Sequence, residues 1–354
     1  MTPQTLGDVS AEWLAEAMGV EIDSIELHPI AAGEGFMGQL ARVRLHSPDP
    51  TVPATVIIKL PTADPAGQFM GQQMRVWQRE HAFYRDLASR MTIRVPIAYV
   101  NIADPPCLVL EDLAPAIPGD HVAGASLDQA ERAIDVLARH HAFWFEHPML
   151  AELDWIPGLD DPAVLTLGPT FEIGWPLFLE RYGDELPSRV LRWCEQFVDI
   201  LPQWIITHYD DRVTLTHGDF RLDNLFFNDH DSGDRSVSVI DWQLGMRAPG
   251  QTDFVYFCAN NLTVEMRREH EDALLLRYVA GLHAAGVPVD AVTVEGVRLG
   301  YLEGLMFYAM SFGASLLTLN PANERGAALF DALVRRTFTA VDDLSAGHSL
   351  GFEG

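Results

Sequence analysis

Short apolar runs, several of them alternating with polar residues in the two-residue period of a β-strand, mark the first third of the chain. They predict strands in four places: Ile25–Ile30, Leu40–Leu45, Ala54–Leu60 and Pro106–Leu113. Residues 67–90 instead predict one helix, because these apolar side chains recur at helical spacing: Met70, Met74, Trp77, Phe83, Tyr84 and Leu87. We therefore expect residues 1–112 to form a small lobe built from an antiparallel sheet and one helix.

Helical spacing of apolar residues dominates the rest of the chain. Residues 126–145 predict an amphipathic helix, with Ser126 as its N-cap and Gln129 as the partner in a capping box. Further helices are expected at 176–206, 263–286 and 290–318. Residues 114–119 contain two prolines and a glycine, which predicts an irregular hinge. Residues 113–354 are thus expected to form a larger, mostly helical lobe.

Shorter features interrupt this helical part. Three apolar runs predict strands: Val213–Thr216, Leu225–Phe227 and Val237–Ile240. Residues 228–236 are rich in Asp and Gly and predict a hairpin loop, while 151–175, rich in Pro, Gly, Asp and aromatic residues, predict an inserted loop. Residues 301–312 carry Met and aromatic side chains that suit either a helix core or a pocket for an apolar alcohol. The pattern as a whole predicts an α+β fold with two lobes.

Composition limits the class of protein. The chain has 354 residues, of which 48% are hydrophobic and 21% charged, which suits one large or two medium globular domains. The sequence has no apolar run of about 18 residues, so no membrane span is expected. The first eight residues lack a basic region and an apolar core, which favours a cytoplasmic location. The three cysteines are expected to be buried hydrophobes in a reducing cytosol: Cys107, Cys194 and Cys258.

The net charge is strongly negative. There are 24 basic and 50 acidic residues, giving −26, and no basic stripe that would neutralise the phosphates of a nucleic acid. Nucleic acid is therefore excluded as an expected partner. The negative field would attract a cationic ligand, although solubility alone also accounts for it. His140, His141 and His147 fit no common metal spacing and stand beside aromatic residues, so we expect them in the core.

Residues 217–224 read His-Gly-Asp-Phe-Arg-Leu-Asp-Asn, and Asp241 follows in Val-Ile-Asp-Trp, seventeen positions after Asn224. Phosphoryl transfer needs an oriented hydroxyl, metal ions on the phosphates and stabilisation of charge. Asp219 is a candidate base for the hydroxyl, and Asn224 and Asp241 are candidate metal ligands on the same strand–loop–strand segment. The alternative is an ordinary surface loop, because Asp, Gly and Asn are also common turn residues.

Residues 33–38 lie between two predicted strands and contain three glycines in a G-x-G-x-x-G pattern: Gly33, Gly35 and Gly38. A strand after the glycines favours a flap that covers phosphates, whereas a dinucleotide site would have a helix there. Lys59 ends a β-branched run, where a buried ammonium needs an anion; the alternative is an edge lysine that reaches water. Glu80 lies in the predicted helix and is a candidate partner for Lys59, although Arg79 and Arg85 are alternative partners.

The order of these motifs over about residues 25–255 resembles the aminoglycoside phosphotransferase and protein-kinase-like superfamily. The details look most like its ecdysteroid-kinase-like branch. The resemblance implies a bilobal protein-kinase-like fold that binds ATP, or GTP, together with Mg²⁺. It also implies that the acceptor is small, because the chain lacks an Ala-Pro-Glu segment and a peptide-binding activation loop.

The resemblance carries over to individual residues. It implies that Asp219 is the catalytic base and that Asn224 and Asp241 bind Mg²⁺. Lys59 with Glu80 would order the phosphates beneath the flap of Gly33, Gly35 and Gly38, and Arg221 would contact the γ-phosphate. The end of the strand at Glu111 and Leu113 would bind the base of the nucleotide through backbone groups.

The expected function is ATP-dependent phosphorylation of a hydroxyl group on a small molecule. One alternative is a kinase-like protein that binds nucleotide or ligand without turnover, and another is a nucleotide-dependent oxidoreductase built on the glycine loop. The acceptor stays open among an aminoglycoside-like cation, a steroid or lipid alcohol and a hydroxyacyl thioester. The oligomeric state is equally open.

Overall fold

The computed structural model describes residues 1–30, 38–208, 212–228, 235–318 and 324–353. The chain divides into two compact units, of which the first consists of Met1–Ala116 with Ser238–Leu244, and the second of Ile117–Val237 with Gly245–Gly354. The sequence led us to expect a division after residue 112, whereas the first unit continues to Ala116. It also includes Asp241, which we had expected in the larger lobe.

The first unit contains an antiparallel sheet. Its strands are β1 (Ser24–Ile30), β2 (Gly38–His46), β3 (Thr55–Pro61), β4 (Ala98–Ala103) and β5 (Pro106–Glu111). They lie in the order β1-β2-β3-β5-β4, and all four predicted strands are present. The antiparallel hydrogen-bonded ladders leave the side chains of β3 alternating between the two faces of the sheet.

This alternation decides where Lys59 points. Val56, Ile58 and Leu60 are buried in a core that α1 (Ala11–Met18) completes through Leu14. Lys59 lies between Ile58 and Leu60 in the strand, so its side chain projects from the opposite face. The strand pattern thus separates the apolar core of the unit from the face that carries the charged residue.

The helix predicted at residues 67–90 is wrong as a single element. The structure has α2 (Pro65–Gln73) and α3 (Val76–Asp86), followed by a short 3-10 turn at Ala88–Arg90. Arg75 between them has φ 54, in the left-handed region, which ends one helix and begins the other. A Cβ atom on Gly71 would lie 2.4 Å from the Trp77 ring, so glycine is what allows α2 to pack against α3.

The second unit is mostly helical. Its helices are α4 (Leu127–Trp144), α5 (Met149–Glu152), α6 (Pro162–Leu165), α7 (Leu167–Tyr182), α8 (Ser188–His208), α9 (Gln251–Asn261), α10 (Val264–Ala284), α11 (Val294–Ser315) and α12 (Glu324–Asp343). The capping box predicted for the first of them is confirmed: Ser126 accepts from the Gln129 amide, and the Gln129 side chain accepts from Ser126. None of the described helices is long and apolar enough to cross a membrane.

Short strands connect these helices. They are β6 (Ile117–Pro118), β7 (Thr214–Thr216), β8 (Leu225–Phe227), β9 (Val237–Val239) and β10 (Met246–Ala248). β6 pairs with β8, and β7 pairs with β10. The hinge at 114–119 is therefore not wholly irregular, because Ile117 and Pro118 join a ladder.

Two further expectations need correction. The loop predicted at 151–175 is largely helical, and α7 begins at Leu167 because Leu167, Phe171 and Trp175 follow helical spacing, with the two aromatic rings buried. The helix predicted at 176–206 is the end of α7 and most of α8, separated near Gly183. No helix had been expected at α9 or α12, and α9 proves important for the site.

Candidate active site

In the first unit, three charged side chains meet on the face of the sheet opposite its core. Lys59 Nζ lies 2.8 Å from Glu80 Oε1 and 2.7 Å from Asp241 Oδ1. We call Lys59, Glu80 and Asp241 the lysine cluster. The pairing of Lys59 with Glu80 follows the expectation from sequence, whereas the contact of Lys59 with Asp241 had not been expected.

The lysine cluster is largely enclosed. The side chain of Lys59 is 12% exposed and that of Asp241 20%, while that of Glu80 is only 2% exposed. Burial would lower the pKa of the Lys59 ammonium, but the carboxylates of Asp241 and Glu80 raise it above its ordinary value. Lys59 is therefore a fixed cation, which suits a group that contacts phosphate oxygens.

Asp241 is held in the cluster by the segment around it. Its φ is 67, a left-handed conformation that is uncommon outside glycine. The ring of the next residue, Trp242, stacks on Phe83 of α3 with the centroids 4.9 Å apart, and the Val239 amide donates to the Arg94 carbonyl at 2.8 Å. Asp241 Oδ2 accepts from Gln243 Nε2 at 3.3 Å. Both carboxylate oxygens therefore have a defined direction.

The other residues expected to bind nucleotide also belong to the first unit. Gly33 and Gly35 lie outside the described residues. Gly38 begins β2, and a Cβ atom there would lie 3.1 Å from the Leu60 carbonyl and 3.8 Å from Lys59 Cε. Glu111 ends β5, where its carboxylate accepts from Arg94 Nη2 at 2.6 Å and from the Ile97 amide at 3.1 Å. The Leu113 carbonyl accepts from the Ala116 amide at 2.9 Å.

In the second unit, residues 217–224 run from the end of β7 to the start of β8, and we call them the His-Gly-Asp loop. Gly218 has φ 78, so the turn into Asp219 uses a conformation that glycine adopts without strain. Residues Leu222–Asn224 form a 3-10 turn. The loop thus brings Asp219 and Asn224 face to face: Asn224 Nδ2 donates to Asp219 Oδ2 at 3.1 Å and to the Asp219 carbonyl at 3.0 Å.

Three side chains surround the Asp219 carboxylate. Besides Asn224, Arg221 Nε lies 3.1 Å from Oδ2, and the Tyr256 hydroxyl donates to Oδ1 at 3.0 Å. The Asp219 side chain remains 18% exposed. The carboxylate is therefore oriented by its neighbours and still open to a ligand, as a base must be.

Asp253 in α9 fixes the backbone of the His-Gly-Asp loop by hydrogen bonds. Its carboxylate accepts the His217 amide at 2.6 Å, the Gly218 amide at 2.9 Å and His141 Nε2 at 3.3 Å. Burial would raise the pKa of Asp253, but the hydrogen bond from His141 and the neighbouring His217, whose amide also donates to it, lower that pKa below its ordinary value, so the group is ionised. Asn261, at the end of the same helix, accepts the Leu222 amide at 2.8 Å.

Asp253, Tyr256 and Asn261 were missed from the sequence. A signal did exist for Asp253, because a carboxylate in the run Asp-Phe-Val-Tyr-Phe is costly to bury unless it has donors. His140 and His141 are buried, as expected for core residues, and His141 also supports Asp253.

Each unit, taken by itself, offers an oxygen donor that suits Mg²⁺. Magnesium prefers oxygen ligands and is commonly held by one or two carboxylates together with substrate phosphates. Asp241 offers a carboxylate, and Asn224 directs its amide nitrogen to Asp219, which leaves the amide oxygen as the atom that suits a cation. Among the residues that the structure describes, no group of three or more His, Cys, Asp or Glu side chains forms a metal site.

Solved structures share this fold. A macrolide 2′-phosphotransferase from Brachybacterium faecium aligns with a TM-score of 0.52 and 18% identity, over 90% of this chain and 96% of that one. The GDP complex of an aminoglycoside 2′-phosphotransferase mutant aligns with a TM-score of 0.58 and 16% identity, over 95% of this chain and 99% of that one. A choline kinase from Cryptosporidium parvum aligns with a TM-score of 0.55 and 10% identity, over 91% of each chain. The predicted α+β kinase-like fold is confirmed.

Two curated proteins are similar over a shorter stretch. Acyl-CoA dehydrogenase family member 10 of Mus musculus is 34% identical over 90 residues, which is 22% of this chain and 8% of that protein. A probable acyl-CoA dehydrogenase of Arabidopsis thaliana is 33% identical over 88 residues, 25% of this chain and 10% of that protein. The match thus spans about a tenth of the length of these relatives or less.

The family model for the phosphotransferase enzyme family matches residues 71–291, which is more than half of the chain. The matched range contains the His-Gly-Asp loop, Asp241 and α9. The kinase-like superfamily predicted from the motifs is confirmed, while the ecdysteroid-kinase-like branch stays a prediction. This chain belongs to the phosphotransferase enzyme family.

Proposed function

We propose that this protein is an ATP-dependent kinase that transfers the γ-phosphoryl group to a hydroxyl of a small molecule. The observation that carries the proposal is the environment of the Asp219 carboxylate. Three neighbouring side chains orient this carboxylate, and it stays partly exposed. The main alternative, a binding protein without turnover, would not need a carboxylate oriented in this way.

In the proposed reaction, the acceptor hydroxyl donates its proton to Asp219 as its oxygen attacks the γ-phosphorus. The bond between that phosphorus and the oxygen bridging it to the β-phosphate breaks, and ADP leaves with the electron pair. Arg221 lies beside Asp219, so its guanidinium would stabilise charge on the transferred group. Orientation of the hydroxyl by a positioned base accounts for a rate effect of about 10²–10⁴.

The lysine cluster would hold the nucleotide. Lys59 would contact the phosphates, with Glu80 fixing its position, beneath the predicted flap of Gly33, Gly35 and Gly38. Backbone groups near Glu111 and Leu113 would receive the base. Asp241 and Asn224 would hold Mg²⁺, which when bound neutralises phosphate charge.

The choice of nucleotide between ATP and GTP is part of the proposal. ATP is expected from the family resemblance. GTP stays a candidate because three of the similar structures, all of one aminoglycoside 2′-phosphotransferase, are GDP complexes. The acceptor is also open, and the names of the two acyl-CoA dehydrogenase relatives favour the hydroxyacyl thioester among the three acceptor classes.

A direct test combines binding with turnover. ATP, GTP and NAD would be compared by thermal stability with and without Mg²⁺; a ligand at about 100 times its Kd adds about 2.7 kcal/mol. Transfer of labelled γ-phosphate would then be followed with a hydroxyacyl thioester, a steroid alcohol and an aminoglycoside. A magnesium-dependent shift and transfer to one acceptor are expected, whereas binding without any transfer would favour the silent binding protein.

Variants test the roles of the two carboxylates. Asp219→Asn should lower kcat by about 10²–10⁴ with nucleotide binding nearly intact, because only the base is lost. Asp241→Ala should instead weaken magnesium-dependent nucleotide binding. Equal loss of nucleotide binding in Asp219→Asn would contradict the role of base, and normal binding of Mg-ATP by Asp241→Ala would contradict the role of metal ligand.

A further inference from the structure

The hydroxyl of Tyr256 is directed at the carboxylate that we propose as the base. Tyr256 lies in α9, three residues after Asp253, and its hydroxyl donates to Asp219 Oδ1 at 3.0 Å. Asp253 in the same helix accepts the amides of His217 and Gly218. A single helix thus fixes both the backbone before Asp219 and one oxygen of its side chain.

The two oxygens of Asp219 differ in their surroundings. Oδ2 accepts from Asn224 Nδ2 and lies 3.1 Å from Arg221 Nε, whereas Tyr256 is the donor to Oδ1. An ionised carboxylate oxygen has two lone-pair sites. An acceptor hydroxyl that donates to Asp219 is therefore best placed at Oδ1, beside the Tyr256 hydroxyl.

We propose that Tyr256 is a positioning residue for phosphoryl transfer: it fixes the rotamer of Asp219 and directs the acceptor hydroxyl to the second lone pair of Oδ1. This inference rests on the proposed function, since it assigns a partner to the proposed base. The phenol is suited to this role because it is half-buried and its ring contacts that of Tyr308 at 5.1 Å, which restricts its movement.

The protonation state of Tyr256 agrees with a donor. Burial raises the pKa of the phenol well above its ordinary value, and the neighbouring Asp219 charge raises it further. The hydroxyl therefore keeps its proton at neutral and moderately alkaline pH. Tyr256 needs no change of charge in order to act, so it orients the base without exchanging a proton with the substrate.

The variant Tyr256→Phe keeps the ring and removes the donor. A hydrogen bond to a charged group contributes about 1.5–3 kcal/mol, so kcat should fall by about 10- to 100-fold. The KM for nucleotide should stay the same, because Tyr256 acts on Asp219. The matched control is Tyr182→Phe, which removes a phenol that also donates to a carboxylate, that of Asp331, away from the loop; its kcat should equal that of the wild type.

A double-mutant cycle distinguishes positioning from a general loss of structure. If Tyr256 acts through Asp219, Tyr256→Phe should have almost no further effect on kcat in an Asp219→Asn background. Multiplicative losses in the double variant, or a kcat for Tyr256→Phe within about twofold of the wild type, would overturn the proposal.

A measurement without turnover separates this proposal from the proposed function. In protein labelled with [¹³Cζ]tyrosine, the Tyr256 signal is identified by its loss in Tyr256→Phe. That signal should move in Asp219→Ala, while the Tyr182 signal should not. A wild type that phosphorylates no acceptor but shows this shift would count against the kinase and not against the contact. An unmoved Tyr256 signal would overturn the proposed positioning even in an active enzyme.

Discussion

The lysine cluster of the first unit and the His-Gly-Asp loop of the second are stabilised in different ways. The lysine cluster joins one ammonium and two carboxylates, with Glu80 2% exposed, so attraction between opposite charges holds it together. The His-Gly-Asp loop is held mainly by backbone amides that donate to Asp253 and Asn261. The cluster should therefore respond to a change of charge, and the loop to a change of hydrogen-bond geometry.

The largest effect on stability should come from Lys59→Met. Removing the ammonium leaves the carboxylates of Glu80 and Asp241 near each other without their cation, and breaking a buried ion pair from one side costs about 3–5 kcal/mol. We expect a loss of that size in the free energy of unfolding, measured by urea denaturation without nucleotide.

Lys59→Arg is the matched control for this change. It keeps the positive charge but changes the shape of the donor, so its loss should be clearly smaller. If Lys59→Met were as stable as the wild type, attraction between opposite charges would not be what holds the cluster, and the contrast with the loop would fail.

In the His-Gly-Asp loop, Asp253→Asn tests geometry with little change in size. The NH₂ group of the new side chain would face an N–H donor where a carboxylate oxygen had accepted, so at least one hydrogen bond to a charged acceptor is lost, at a cost of about 1.5–3 kcal/mol. The turn at Gly218 would no longer be fixed, and kcat should fall at least about tenfold. Urea denaturation and steady-state kinetics measure the two effects. Unchanged kcat would show that the loop does not depend on Asp253.

The lysine cluster was largely predictable from the sequence, whereas the support of the loop was not. Lys59 and Glu80 were found because a charged residue in a β-branched run needs a partner. The contact with Asp241 involves the stacking of Trp242 on Phe83. These residues are far apart in the sequence, so no local sequence pattern predicts the contact. From the sequence, Asp241 was expected in the larger lobe only because its position falls within residues 113–354.

The helix α9 was missed for a physical reason. Phe254, Val255, Phe257, Cys258 and Ala259 are all buried, so the helix is apolar on nearly all sides and has little amphipathic period. Three of its polar residues contact the loop: Asp253, Tyr256 and Asn261. The opposite error occurred at 151–175, where Pro and Gly content suggested a loop although Phe171 and Trp175 pack at helical spacing.

A moderate effect should follow from pH through His140 of α4. Burial lowers the pKa of His140 to about 3, helped by the neighbouring His141, although Asp253 opposes the shift. Because the unfolded chain binds a proton near pH 6.5 and the folded chain does not, stability is lost as pH falls below about 6.5. Between pH 7 and pH 5 this group accounts for a loss of about 2 kcal/mol.

The variant His140→Leu isolates this contribution. At pH 8 it reports the loss of the hydrogen bond between His140 Nε2 and the Leu215 carbonyl, 2.9 Å long. The difference in the free energy of unfolding between wild type and variant should shrink as the pH falls from 8 to 5, because only the wild type carries this titratable group. Parallel pH profiles in urea denaturation would show that His140 does not contribute.

The smallest effect should come from an ion pair that is exposed to the solvent on both sides. Arg298 Nη1 of α11 lies 2.6 Å from Asp272 Oδ1 of α10, and the two side chains are 47% and 72% exposed, so water screens the interaction. We expect Arg298→Gln to lower the free energy of unfolding by about 0–1 kcal/mol and to lose most of that difference at 1 M salt. Lys59→Met measured under the same conditions should keep most of its larger loss, because its charges are shielded from the solvent. A salt-sensitive loss at Lys59, or one as small as that at Arg298, would mean that burial does not set the energetics of the lysine cluster.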